Sequence, residues 1–219
     1  MFTFIEDRFL LTVSLYDKYI LPHVLNCSCG TKPFIHQREK VIPLASGRVL
    51  EVGIGSGLNL PYYKKDNIKQ IWGLDPSEEL LLMAKRKAKS EGMDIKFLNA
   101  SAESLELDDN FFDTVIITYT MCTIPNLNQA LSEIKRVMKT DGRLVFCEHG
   151  SSPEPQVYKW QNRLNNVWSK ISGGCNINKN IPDIIESSGL IISQLETMYL
   201  PKTPKILGYN YWGFAVLDD

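Results

Sequence analysis

After residue 45, short apolar runs alternate with stretches whose apolar side chains recur every three or four positions. Residues 48–52 form an apolar run that ends on glycine, the pattern of a strand buried on both faces. Residues 70–74 predict a second strand, closed by Asp75-Pro76-Ser77. Glu78 and Glu79 then open a helix where acids suit its positive end, and Lys85, Arg86, Lys87 and Lys89 close it. Its expected apolar face is Leu80, Leu81, Met83 and Ala84. Residues 95–98 and 114–118 read as strands three and four, the latter after the turn Asp108-Asp109-Asn110. Leu127, Ala130, Leu131, Ile134 and Val137 repeat at helical spacing, and Asp141-Gly142 is expected to stop that helix. Residues 143–147 give strand five. A helix over 156–171 is marked by Trp160, Leu164, Val167 and Ile171, a spacing that makes Trp160 most simply a core residue. A short helix over 182–188 precedes strands near 190–195 and 211–216.

Such alternation builds a parallel sheet covered by helices on both faces, a doubly wound α/β fold. In these sheets ligands bind beyond the carboxyl ends of the strands, near the switch point. The chain has 219 residues, no repeat and no long linker, which suggests one compact unit. The N-terminal stretch 1–45 reads as a helical cap, with the α/β domain over 46–219. Phe2, Ile5, Phe9, Leu10 and Val13 could share one helical face, as a lid or as a contact with a membrane surface. Asp17, Lys18 and Pro22 interrupt that run before it reaches the length of a membrane span.

Composition narrows the reading little. The formal net charge of −1, from 24 basic and 25 acidic side chains, asks for no nucleic acid. The five cysteines (Cys27, Cys29, Cys122, Cys147, Cys175) are odd in number and irregularly spaced, which fits a reducing cytoplasm. Cys27-Ser28-Cys29 lacks the second pair or histidine of a metal site, and none is expected.

The chemistry sits in Val49-Leu50-Glu51-Val52-Gly53-Ile54-Gly55-Ser56-Gly57, the first strand and its turn. Glycines there permit positive φ and let a ligand lie against the main chain, although a ligand-free tight turn could also use them. Asp75, 20 residues after Gly55 and at the end of the second strand, can accept hydrogen bonds from ribose hydroxyls. A dinucleotide fingerprint would need glycine or alanine at Leu58, or glycine at Leu60, and no P-loop lysine follows Gly57. A nicotinamide enzyme stands as the alternative for this turn.

Glu-x-Gly-x-Gly-x-Gly with an acid closing the next strand resembles the class I S-adenosylmethionine-dependent methyltransferases, over most of residues 48–150. Ser101-Ala102-Glu103 resembles their adenine-side segment, residues 109–113 their lead into strand four, and residues 139–143 their turn before strand five. The resemblance implies a Rossmann-like sheet of seven strands, mostly parallel with the last antiparallel, under an N-terminal helical lid. It implies S-adenosylmethionine as cofactor and S-adenosylhomocysteine as product. The cofactor set it implies is Tyr16, Glu51, Gly53, Gly55, Gly57, Asn59, Asp75, Pro76, Ser101, Ala102, Glu103 and Thr118. Glu51 would meet the methionine amino end, Asp75 the ribose, and Tyr16 would belong to the lid.

Residues 118–123 (TYTMCT), Cys147-Glu148-His149, Trp160-Gln161, Trp168 and Gly173-Gly174-Cys175-Asn176 resemble a narrower group, the vertebrate alkyl-thiol methyltransferases and their bacterial relatives. The vertebrate members carry an N-terminal membrane anchor for which this chain offers no apolar run. The expected reaction is in-line methyl transfer to a small, largely apolar acceptor, most simply a thiol. A phospholipid amine, a quinone precursor or a non-catalytic cofactor-binding protein are the alternatives. His149 is the candidate base or a residue shaping the pocket. Tyr119, Cys122, Trp160 and Cys175 are candidate acceptor contacts, with core filling as the plainer role for the cysteines. His23 and His36, outside the sheet pattern, read as structural or surface residues.

Overall fold

The computed structural model describes residues 16–218. The apolar face expected from Phe2, Ile5, Phe9, Leu10 and Val13 lies outside them. Helices α1 (Leu21–Cys29) and α2 (Lys32–Val41) precede the sheet. The remaining elements run β1 (Gly47–Val52), β2 (Ile68–Leu74), α3 (Glu78–Glu91), β3 (Ile95–Leu98), β4 (Phe112–Thr118), α4 (Leu127–Val137), β5 (Met138–His149), α5 (Pro155–Ile171), α6 (Ile181–Ser187), β6 (Leu190–Tyr199), α7 (Lys205–Gly208) and β7 (Tyr209–Leu217).

The seven strands form one sheet in the order β3-β2-β1-β4-β5-β7-β6. All neighbours are parallel except β7, which is antiparallel to both β5 and β6. The chain therefore steps from β3 to the far side of β1, and the switch point lies between β1 and β4.

Local sequence explains the ends of the helices. Ser77 caps α3 by accepting from the Leu80 amide, Glu78 and Glu79 fill its first turn, and Gly92 ends it at φ 62°. Asn126 caps α4 by accepting from Gln129. The buried stripe of α4 is the one its spacing predicts: Leu127, Ala130, Leu131, Ile134 and Val137. They pack with Leu50, Phe112, Leu144 and Phe146 on one face of the sheet. Val41, Ile42, Leu81 and Ala88 cover the other face against Val49, Ile71 and Ile116. Truncating a fully buried Ile134 to alanine would cost about 2–5 kcal/mol.

Three expectations need correction. Helix α4 ends at Val137, and Asp141-Gly142 lies inside β5, where the pairing with β4 slips between Phe112 and Thr114. On α3 the buried positions are Leu81, Ala84 and Ala88, because the helix rolls that row toward the sheet. The largest departure is α5. Trp160, Leu164, Val167 and Ile171 are exposed, and the buried residues are Gln161 and Asn165. Polar burial is favourable here because every group has a partner. Gln161 accepts from Ser152 N and donates to the Gly150 and Ile206 carbonyls, while Asn165 binds Asn176 and Ile177.

Candidate active site

At the carboxyl end of β1 the chain turns through Gly53, Gly55 and Gly57 at φ 72°, 55° and 81°. A Cβ at Gly53 would collide with the Thr120 side chain, and one at Gly57 would meet Leu60 at 2.9 Å. At Gly55 the nearest atom to an added Cβ is the Gly53 carbonyl oxygen, 4.0 Å away. The backbone is thus closed on two sides and open at Gly55, as a ligand-bearing loop requires.

Two buried carboxylates frame this turn. Asp75 accepts from the Gly55 amide through Oδ2 and from the Ser77 amide through Oδ1, each at 2.9 Å. Burial raises its pKa against the pull of those two amides. Each oxygen keeps a lone pair for a ribose hydroxyl. Glu51 is almost wholly buried and accepts from Asn59 Nδ2 at 2.8 Å and Tyr63 Oη at 2.7 Å. Burial pushes its pKa up to about 7. Asn59 also donates to Thr118 Oγ1 at 2.9 Å, while its own Oδ1 is buried with no partner among the described residues. An orphaned acceptor beside a carboxylate is the environment an ammonium group would complete.

The segment expected on the adenine side follows β3. Ala102 is buried, whereas Ser101 is exposed and its hydroxyl is committed to Glu103. Glu103 also accepts from the Asn126 amide at 2.9 Å. Arg136 fixes the rest of the loop by donating to the Leu105 and Leu107 carbonyls, each at 2.8 Å. Pro76 stands exposed beside it, and Asn99 joins the two loops by donating to the Asp75 and Pro76 carbonyls.

Helices α1 and α2 touch this floor directly. Asn26 of α1 accepts from the Ser56 hydroxyl at 2.6 Å. Arg38 of α2 lies 5.1 Å from the Tyr119 ring centroid and donates to the Cys29 carbonyl at 2.8 Å. Tyr16 is placed elsewhere: its hydroxyl donates to the Ile171 carbonyl at the end of α5.

Beyond β4 and β5 the expected acceptor residues divide. Tyr119, at φ 54°, donates to Asn210 Oδ1 at 2.9 Å. Cys122 and Cys175 are buried together with Ile177, against Trp168 and Leu207. His149 joins them, its Nε2 lying 3.2 Å from the Cys175 sulfur. Burial alone would depress the imidazole, but the Cys175 contact prevails and raises its pKa. The Cys175 thiol is held below its ordinary value by Cys122 first and then by His149, against burial. Trp160 is not part of this group; its ring is about half exposed and lies under Arg163. His23 and His36 are exposed, the surface alternative of the two readings.

Several contributors carried no sequence signal. Tyr63 has none, and Lys179, which donates to the Met121 and Ile124 carbonyls, reads as an ordinary surface charge. Glu148 stands out as an acid inside an apolar strand, within the Cys147-Glu148-His149 stretch, but nothing in the sequence shows what it binds. It accepts from the Thr120 and Met121 amides at 2.7 and 3.0 Å through Oε1, and burial lifts its pKa to about 7. Its Oε2 is buried and without a partner among the described residues.

A family profile described as a methyltransferase domain matches residues 50–146. The thiol S-methyltransferase TMT1B of Rattus norvegicus is 30% identical over 169 residues, covering 73% of this chain and 68% of its own. The ubiquinone/menaquinone biosynthesis C-methyltransferase UbiE of Rickettsia bellii is 34% identical over 207 residues, or 89% of this chain and 82% of its own. The crystal structure of the YcgJ protein from Bacillus subtilis has the same fold, with a TM-score of 0.66, 16% identity, and coverage of 84% of this chain and 99% of that one.

Proposed function

This chain belongs to the class I S-adenosylmethionine-dependent methyltransferases, and on that premise we propose that its acceptor is a small apolar thiol. S-adenosylmethionine supplies an electrophilic methyl group on a sulfonium. The residues assigned to hold it are Asp75 for the ribose, Glu51 with Asn59 for the amino end, and the backbone around Gly55 for the chain between them. Ala102, through its backbone, and the loop fixed by Arg136 border the adenine side. Helices α1 and α2 are assigned as a cap over the domain of 46–219, with Asn26 on Ser56 and Arg38 against Tyr119 among their contacts.

One observation supports the thiol most: His149 meets Cys175 at the carboxyl edge of the sheet, beside a small apolar cluster that holds both Cys122 and Cys175. A thiol with a pKa near 8.5 needs only modest help to become a thiolate, after which positioning supplies much of the rate. The shell of Ile177, Trp168 and Leu207 suits an alkyl or aryl substituent. The rat relative is named a thiol S-methyltransferase, which favours the same reading. The five cysteines are all free, as a cytoplasmic protein's would be. The test is product formation from S-adenosylmethionine with a panel of alkyl and aryl thiols, phosphatidylethanolamine and a demethylated quinone. S-methyl product from thiols alone supports the reading, and turnover confined to the lipid or quinone overturns it.

A second reading, a lipid-borne acceptor, draws on the exposed row Trp160, Leu164, Val167 and Ile171 of α5. No helix among the described residues is long and apolar enough to cross a membrane, so contact would be interfacial. Cosedimentation with phospholipid vesicles, lost in Trp160→Ala/Val167→Ala, would favour it; no cosedimentation by the wild type would count against it.

A further inference from the structure

Three potential metal ligands from separate parts of the chain meet beside the site. Cys122 follows β4, His149 ends β5, and Cys175 follows α5. Their two sulfurs and a ring nitrogen all lie within 4.8 Å of one another. A zinc ion with sulfur at about 2.3 Å and nitrogen at about 2.0 Å in tetrahedral geometry keeps such atoms roughly 3.5–3.8 Å apart. The cluster therefore needs little rearrangement to close on an ion.

Its frame is fixed. The Thr120 and Met121 amides, immediately before Cys122, are held by Glu148. His149 is paired across β5 and β7 with Asn210. Gly173 and Gly174 turn the chain into Cys175 at positive φ. Asn176 then locks the two cysteine loops together: its amide and side chain both donate to the Cys122 carbonyl, at 3.0 and 3.1 Å. Cys122 and Cys175 are 2% and 9% exposed, so water competes poorly for an ion there. Glu148, whose Oε2 is buried without a partner among the described residues, immediately precedes His149 in sequence.

We propose that Cys122, His149 and Cys175 bind zinc, and that the acceptor's thiolate takes its fourth coordination position. The proposal rests on the thiol reading for its second half only. Three protein ligands with one open position are the arrangement of catalytic rather than structural zinc. The acceptor loses its S–H proton to solvent on binding the ion, so no protein base is consumed in the transfer. The thiolate sulfur then forms the new S–C bond as the methyl–sulfonium bond breaks. The electron pair of that bond stays on the departing sulfur. A thioether is a weak ligand, so the product leaves the ion free for the next thiolate.

The experiment uses the reduced, full-length protein, stripped with a chelator and titrated with Co²⁺ as a spectroscopic stand-in for zinc. The expected result is saturable binding near one ion per chain, with sulfur-to-cobalt charge-transfer absorption that added Zn²⁺ abolishes. Cys175→Ser and His149→Gln should lose it, and Cys27→Ser, at an exposed thiol, should keep it. His149→Cys should retain the ion and strengthen the charge-transfer band, a gain that a misfolded variant could not give. Adding propane-1-thiol should intensify and shift the band. No saturable cobalt binding, or binding indifferent to both losses, overturns the site; an unmoved band on adding thiol overturns the role of the fourth position. Full thiol methylation by metal-free protein would remove the zinc and leave the thiol reading intact. Cobalt binding with no thiol turnover would do the reverse.

Discussion

The Asp75 carboxylate accepts the Gly55 amide at 2.9 Å, so the acid that ends β2 also holds the glycine turn of β1. Its second oxygen holds Ser77, at the start of α3. Asp75→Ala is expected to weaken S-adenosylmethionine binding ten- to a hundredfold, about 1–3 kcal/mol, as for hydrogen bonds to a charged group. Calorimetric titration of both proteins measures this. An unchanged dissociation constant with a lowered melting temperature would confine Asp75 to holding the turn.

Gly53 faces a harsher test. Alanine there takes on a left-handed φ, costing about 1–2 kcal/mol, and also strikes Thr120. Gly53→Ala should reduce both stability and cofactor affinity. Pairing it with Thr120→Ala should recover the part of the loss due to the collision and leave the part due to φ. A double-mutant cycle read by urea denaturation separates the two.

Glu51 predicts a pH dependence with a definite sign. Its folded pKa of about 7 lies above its ordinary value of 4.5, so between those values the folded state holds the extra proton. The ligand-free protein should therefore lose stability as pH rises from about 4.5 to about 7, by at most about 1.4 kcal/mol per pH unit from this group. Glu51→Gln should flatten that component. A cation bound beside Glu51 favours its ionised form, so S-adenosylmethionine should bind more tightly at pH 8 than at pH 5.5, with proton release at the lower pH. Titrations in buffers of different ionisation enthalpy check both.

The hydrogen bond between Asn26 and Ser56 is the smallest change that tests the cap. Asn26→Ala should leave the core intact, because Asn26 belongs to neither hydrophobic cluster of the sheet. It should raise the dissociation rate of the cofactor several-fold in stopped-flow measurements. An unchanged rate would mean that α1 stays closed without this bond.

The sequence disclosed the fold where burial is two-sided or strictly periodic. Strands β1 to β5 and helix α4 follow their patterns because one sheet decides which side chains are buried. Helix α5 misled because its apolar row has the right spacing but the wrong partner. The loops it packs against bring carbonyls and amides that only Gln161 and Asn165 can satisfy. The glycines and Asp75 were legible because positive φ and a strand-end acid leave marks in composition. Cys122, His149 and Cys175 were each placed at the acceptor side by resemblance, but their approach to within 4.8 Å of one another is determined by tertiary closure. Tyr63 and the orphaned Asn59 Oδ1 are similarly invisible without coordinates.

Asn176 also bears on the order in which the site is assembled. It reaches back 54 positions to the Cys122 carbonyl, and β7, which pairs with the strand carrying His149, is the last of the described strands in chain order. A chain emerging from the ribosome could form β1 to β4 and the glycine turn well before these contacts exist. Contacts so distant in sequence close late, after their loop entropy has been met. The donor half of the site would then be in place before the acceptor half, and a chain truncated before β7 should still bind cofactor while methylating nothing.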